Sequence, residues 1–211
     1  MQIQWFGLSY FKIQTKEAVI LIDPYAPKFG LKTPHFKADI LLISQENEAH
    51  NFRQAAIGQP FTICSPGEYE LEEVFIYAIP GFAAKKKEGE KDRPILFLIE
   101  AEGLTLGILS GLEAVPTEEE LERFEEVDLL FIPVGGKDLL GAEEAAKVIA
   151  EIEPRVVIPM PYKIPGLKLP LESVNSFCRE MGLKESAGLE KLKIVKKDLP
   201  QEETRVILLK A

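Results

Sequence analysis

The shape of the apolar runs most constrains what this chain can become. Through the first half they are short, rich in β-branched and aromatic residues, and broken by turn formers. Residues 2–6 alternate polar and apolar side chains. Residues 10–14 and 18–22 flank Thr15-Lys16-Glu17, which has the composition of a hairpin turn. Asp23-Pro24 ends the second of these strands, because proline has no N–H to offer a ladder. Residues 40–43 are wholly apolar, as expected of a strand covered on both faces. Residues 61–64, 74–78, 95–101 and 104–109 continue the series, with Glu102-Gly103 as a tight turn and 80–94 as a polar Lys/Glu/Gly-rich loop.

The second half changes period. Thr117 followed by three glutamates predicts the capped, acidic opening of a short helix. Ala142, Ala145, Ala146, Ile149 and Ile152 fall at helical spacing and predict an amphipathic helix over 141–152. Strands are expected at 129–134, 156–160 and 206–209, and a helix over 171–181. Strands first and β-α-β alternation later predict an α/β layered fold, and 211 residues without a repeat or linker suit a single domain over 1–211.

Composition narrows the function classes. A net charge of -9 argues against nucleic acid, and the one basic run, Lys85-Lys86-Lys87, is answered at once by Glu88, Glu90 and Asp92, as in a solvated loop. No uncharged apolar stretch approaches the ~20 residues of a membrane span. The start has no signal-peptide pattern, so a cytoplasmic location without a membrane partner is expected. Cys64 and Cys178 sit in separate apolar contexts and are expected as two buried, reduced thiols.

Several stretches, in order along nearly the whole chain, resemble the metallo-β-lactamase-fold superfamily, in its ascorbate-phosphate-lactonase-like branch of small hydrolase-like members. Trp5-Phe6-Gly7-Leu8-Ser9-Tyr10-Phe11 resembles W-x-G-H-[SA]-x-F. Leu21-Ile22-Asp23-Pro24 resembles L-I-D-P, and Ala38-Asp39-Ile40-Leu41-Leu42-Ile43-Ser44 resembles the strand leading into the metal motif. Pro66-Gly67-Glu68-Tyr69-Glu70, the Asp128 to Gly136 segment with Glu143-Glu144-Ala145-Ala146, and Pro154 to Tyr162 are similar to later blocks of that branch. The resemblance implies a four-layer α/β/β/α sandwich, two sheets face to face with helices outside.

It also implies where a metal site belongs, and this sequence departs from it at each position. The family loop H-x-H-x-D-H is Gln45-Glu46-Asn47-Glu48-Ala49-His50 here, so only His50 survives. Phe82-Ala83-Ala84 stands where the branch carries His-Asp after the 74–78 strand. Gly111 stands at the bridging aspartate, Pro161 at the last histidine, and Leu8 at the histidine of the G-H motif. The whole chain holds two histidines, His35 and His50. Neutral amides are poor Zn²⁺ ligands, and one histidine falls short of the three or four donors a site needs.

No other chemistry takes its place. Ser9, Ser44, Ser65 and Ser110 lack a G-x-S-x-G elbow, and Val134-Gly135-Gly136-Lys137 lacks the first glycine and the Ser/Thr of a phosphate loop. His35 reads as a surface residue. The expectation is therefore a catalytically degenerate protein with no catalytic residue, metal or cofactor. Its old active-site mouth would be formed around Asp23, Gln45, Asn47, His50, Ser110 and Tyr162, and would suit an unknown polar uncharged small molecule or a protein partner. Two alternatives stay open: a hydrolase of weak or altered activity, and a structural subunit, for instance of a homo- or hetero-oligomer that packs through the apolar loop 162–170, whose Ile164 and Leu167 equally suit the chain's own core.

Overall fold

The computed structural model describes residues 1–82, 93–183 and 188–211. Ala83, Ala84 and the Lys85-Lys86-Lys87 run lie outside the described residues.

Antiparallel pairing begins at the first apolar run. β1 (Gln2–Trp5) pairs with β2 (Phe11–Gln14), and β2 turns through residues 15–17 into β3 (Val19–Ile22). β5 (Ile40–Leu42) and β7 (Phe61–Ile63) then add in parallel, so β5 has a strand on either side and all its residues are buried. The sheet is completed from the far end of the chain, where β14 (Leu192–Lys193) pairs with β1. β4 (Phe36–Lys37) and β6 (Ala56–Ile57) form a separate parallel pair.

A seven-stranded sheet faces the first. Its order is β15 (Arg205–Val206), β13 (Val156–Pro159), β12 (Leu129–Ile132), β11 (Leu104–Ile108), β10 (Ile95–Ala101), β9 (Val74–Pro80) and β8 (Gly67–Leu71). Glu102 (φ 54°) and Gly103 (φ 73°) make the left-handed two-residue turn between β10 and β11 that matches strand twist. The inner faces meet in one core, where the ring of Phe11 stands edge-on to that of Phe131 at 4.9 Å. Each of these fully buried rings contributes about 3–5 kcal/mol against truncation to alanine.

Three helices join this core: α1 (Glu118–Leu121), α2 (Ala142–Ile152) and α3 (Val174–Glu180). α2 buries Ala145, Ile149 and Ile152 of the predicted stripe together with Val148, while Ala142 and Ala146 are half-buried. Thr117 caps α1 reciprocally with Glu120. The α/β sandwich stands, with one refinement. Among the described residues, the outer face of the six-stranded sheet is covered by loops and the 3-10 turns Pro27–Phe29 and Arg53–Ala55 rather than an α-helix. Pro24, Pro27, Gly30 and Pro34 keep that segment from forming an α-helix.

Three expectations need correction, and one open alternative closes. The helix expected over 171–181 starts at Val174, because Ser173 takes the cap position and accepts from Asn175 N–H at 3.2 Å. Cys64 is exposed, since it follows β7 at the sheet edge; Cys178 is buried, and neither forms a disulfide. For the loop 162–170, the reading in which it tucks into the chain's own core holds: Leu167 is buried and Ile164 half-buried against the cluster around Leu8 and Tyr25. Tyr162 is a core residue, with its ring 4.7 Å from Trp5 and its hydroxyl donating to Leu209 O at 3.0 Å. No helix among the described residues is long and apolar enough to cross a membrane.

Candidate functional site

The site is assembled where β3, β5 and β11 end. Ile22 closes β3, and the backbone of Asp23 enters the left-handed region (φ 48°), which turns its side chain in behind the strand ends. Asp23 is fully buried. Its Oδ1 accepts from Ser44 N–H at 2.7 Å, and its Oδ2 accepts from the Ser44 hydroxyl at 2.7 Å and the Ser110 hydroxyl at 2.6 Å. Ser44 follows β5 in one sheet and Ser110 follows β11 in the other, so a single carboxyl bolts the two sheets together. The tie is reinforced by Ile95 N–H donating to Ser44 O at 2.8 Å.

Beyond Ser44 the chain runs across the strand ends in a loop pinned by backbone bonds. Phe52 N–H donates to Pro24 O at 2.7 Å and Ala26 N–H to Glu48 O at 2.8 Å. Within it, the side chains of Gln45, Asn47 and His50 are hydrogen-bonded to one another. Asn47 Nδ2 donates to Gln45 Oε1 at 2.7 Å, and Asn47 Oδ1 accepts from Ala49 N–H at 2.9 Å and lies 2.9 Å from His50 Nδ1. The Ala49 amide fixes which end of the Asn47 carboxamide is the oxygen. His50 must therefore donate from Nδ1, which leaves Nε2 as an acceptor in the neutral ring. The Gln45 amide nitrogen in turn lies against Gly111 (φ 73°), where a Cβ would collide with it. Gln45 thus occupies the volume of the side chain that residue 111 lacks.

Above this row opens a pocket of about 420 Å³ whose lining includes Gln45, Asn47, His50, Gly111 and Pro161, together with Leu8, Phe29, Leu139 and Leu171. It sits at the carboxyl ends of parallel strands, the usual place for a ligand in open α/β sheets. Of the six residues expected around the mouth, Gln45, Asn47 and His50 line it. Asp23 and Ser110 lie buried behind it, and Tyr162 points away into the core. Leu8, Phe29, Leu139 and Leu171 were not anticipated as wall residues, because apolar side chains in loops carry no signal that separates a pocket wall from a core contact.

Burial opposes charge on both ionisable groups at the floor. Burial pushes the Asp23 carboxyl above its usual range, while His50 and the donors from Ser110 and Ser44 pull it back. Burial likewise pushes the His50 imidazole below its usual value, against the opposing pull of Asp23. Among the described residues, no three of His, Cys, Asp and Glu converge as a metal ion requires. His35 is exposed, edge-on to Phe52 at 6.0 Å.

The loops bearing these residues match a known family. A family model described as a beta-lactamase superfamily domain matches residues 2–161. This chain belongs to the beta-lactamase superfamily. Among superfamily members it is similar to a UPF0173 metal-dependent hydrolase of Bacillus thuringiensis subsp. konkukian, 23% identical over 194 residues, spanning 77% of this chain and 86% of the relative. It is also similar to a UPF0173 protein of Pyrococcus furiosus, 26% identical over 190 residues, spanning 77% and 83%. A solved structure from Thermotoga maritima, of a candidate Zn-dependent hydrolase of the metallo-beta-lactamase superfamily, superposes with a TM-score of 0.79 over 99% of both chains at 29% identity. Igni18, a metallo hydrolase from Ignicoccus hospitalis, shares the fold at 19% identity, with a TM-score of 0.66 over 92% of this chain and 98% of its own.

Proposed function

We propose that this superfamily member is a non-catalytic binding protein whose pocket works without metal. The observation that supports this is the closed row from Gly111 through Gln45 and Asn47 to His50. A Zn²⁺ or Mn²⁺ site needs three or four lone pairs from imidazole, thiolate or carboxylate groups aimed at one point. Here His50, the histidine of the site, spends Nδ1 on Asn47, and the two amides bond to each other. No side chain fits at 111 without displacing Gln45. The residues present do not suit the metal the family implies, so no catalytic step is routed through one.

Neither do they form a metal-free hydrolytic apparatus. The Ser44 and Ser110 hydroxyls are both spent on Asp23, and among the described residues no hydroxyl or thiol is hydrogen-bonded to His50. The competing reading, a hydrolase of weak or altered activity, is favoured by the names of the UPF0173 relatives. The two separate cleanly. Protein incubated with Zn²⁺ or Mn²⁺ and offered a lactone and a phosphodiester is expected to show no turnover above the protein-free rate. Metal-dependent turnover that disappears in His50→Ala would establish the hydrolase instead.

A further inference from the structure

We infer that the pocket selects an uncharged ligand whose head presents a hydrogen-bond donor beside an acceptor, a carboxamide above all, on an apolar body. This rests on the metal-free reading and adds to it the chemistry of the ligand. Two floor groups carry the inference. With Nδ1 donated to Asn47, His50 offers Nε2 as an acceptor, and among the described residues nothing bonds to it. With Oε1 accepting from Asn47, Gln45 turns its N–H₂ end toward Gly111, and those donors too are without an acceptor among the described residues. Asn47 bridges the two, so acceptor and donor are held in one hydrogen-bonded row. A carboxamide has the matching groups: its N–H is a donor for the imidazole nitrogen and its carbonyl an acceptor for the glutamine amide.

The surroundings supply the rest of the preference. Phe29, Leu139 and Leu171 on the walls favour an apolar body. A carboxylate of the same shape would face the Nε2 lone pair with nothing to donate, above a buried carboxyl at Asp23. The rim does not compensate. Lys28 is paired with Glu48, and the exposed Lys137 shares the rim with Asp138 and Glu113. A donor site left unmatched discriminates strongly, so an amide is expected to bind at least about tenfold tighter than its isosteric acid.

The test uses 2-phenylacetamide and phenylacetate as probes, titrated calorimetrically into the full chain and into Gln45→Leu, which keeps volume and removes the donor. The amide is expected to bind saturably, with the acid at least about tenfold weaker and the preference abolished in Gln45→Leu. Equal binding of the two probes, binding of neither, or an unchanged preference in the variant would overturn the inference. If Gln45→Leu does not fold, the ratio of the two probes on the unmodified chain decides alone. Metal content is measured on the same sample. Near-stoichiometric metal removes the metal-free reading and this inference with it, whereas a metal-free protein without amide preference removes this inference only.

Discussion

Asp23 receives three donors from the ends of two different sheets, and no water-exposed route offers those donors an alternative. Asp23→Ala strands the Ser44 amide and two hydroxyls in the interior, which is expected to cost about 2–4 kcal/mol in urea unfolding. His50 gives a prediction with a definite sign. Its folded pKa lies below 6.5, so the unfolded chain takes up the proton first as the medium is acidified. Its contribution is complete above pH 6.5 and falls away as the pH drops below it, toward the folded value. Asp23, shifted up from 3.8, acts in the opposite sense above that value, so stability falls there as pH rises. The difference between the unmodified chain and His50→Gln across pH 5–7.5 isolates the histidine: the loss on acidification below 6.5 is expected to shrink in the variant. An unchanged slope would contradict the assignment.

At the scale of elements, helix α1 is a single turn that lives on its cap. Thr117 N–H donates to Glu120 Oε2 at 2.9 Å and Thr117 Oγ1 accepts from Glu120 N–H at 3.4 Å. Thr117→Ala is expected to lower stability by about 1 kcal/mol, read from the shift in denaturant midpoint at constant slope. That helix was legible in the sequence because capping is a local code. So were the strands whose apolar residues alternate or run on, such as β1, β5 and β10. β8 was not, since Gly67-Glu68-Tyr69-Glu70-Leu71 owes its extension to pairing with β9 and not to a hydrophobic pattern. β14 depends on Met1's neighbours nearly the whole chain away, which no window of sequence can see. In the site, the identities of Gln45, Asn47, His50 and Gly111 were legible through the resemblance to the family. Their mutual bonding was not, because it depends on β11 delivering Gly111 against the loop that follows β5. Tyr162 failed as a pocket residue for the same reason: a tyrosine beside a functional loop reads alike whether its ring turns outward or packs on Trp5.

Across the whole molecule, the two sheets share one core, the C-terminal β14 closes the N-terminal sheet, and Asp23 ties both. Unfolding is therefore expected to be a single cooperative event, with calorimetric and van't Hoff enthalpies in agreement; two resolved transitions would show that the sheets melt independently. The same integration holds this pocket together through Asp23 and the amide row, neither of which requires an ion. Metal binding decides that claim most directly. Tag-free protein is incubated with Zn²⁺ or Mn²⁺, desalted and analysed by plasma mass spectrometry. Retained metal below about a tenth of an equivalent is the predicted result, and about one or two equivalents, lost on His50→Ala, would contradict the account.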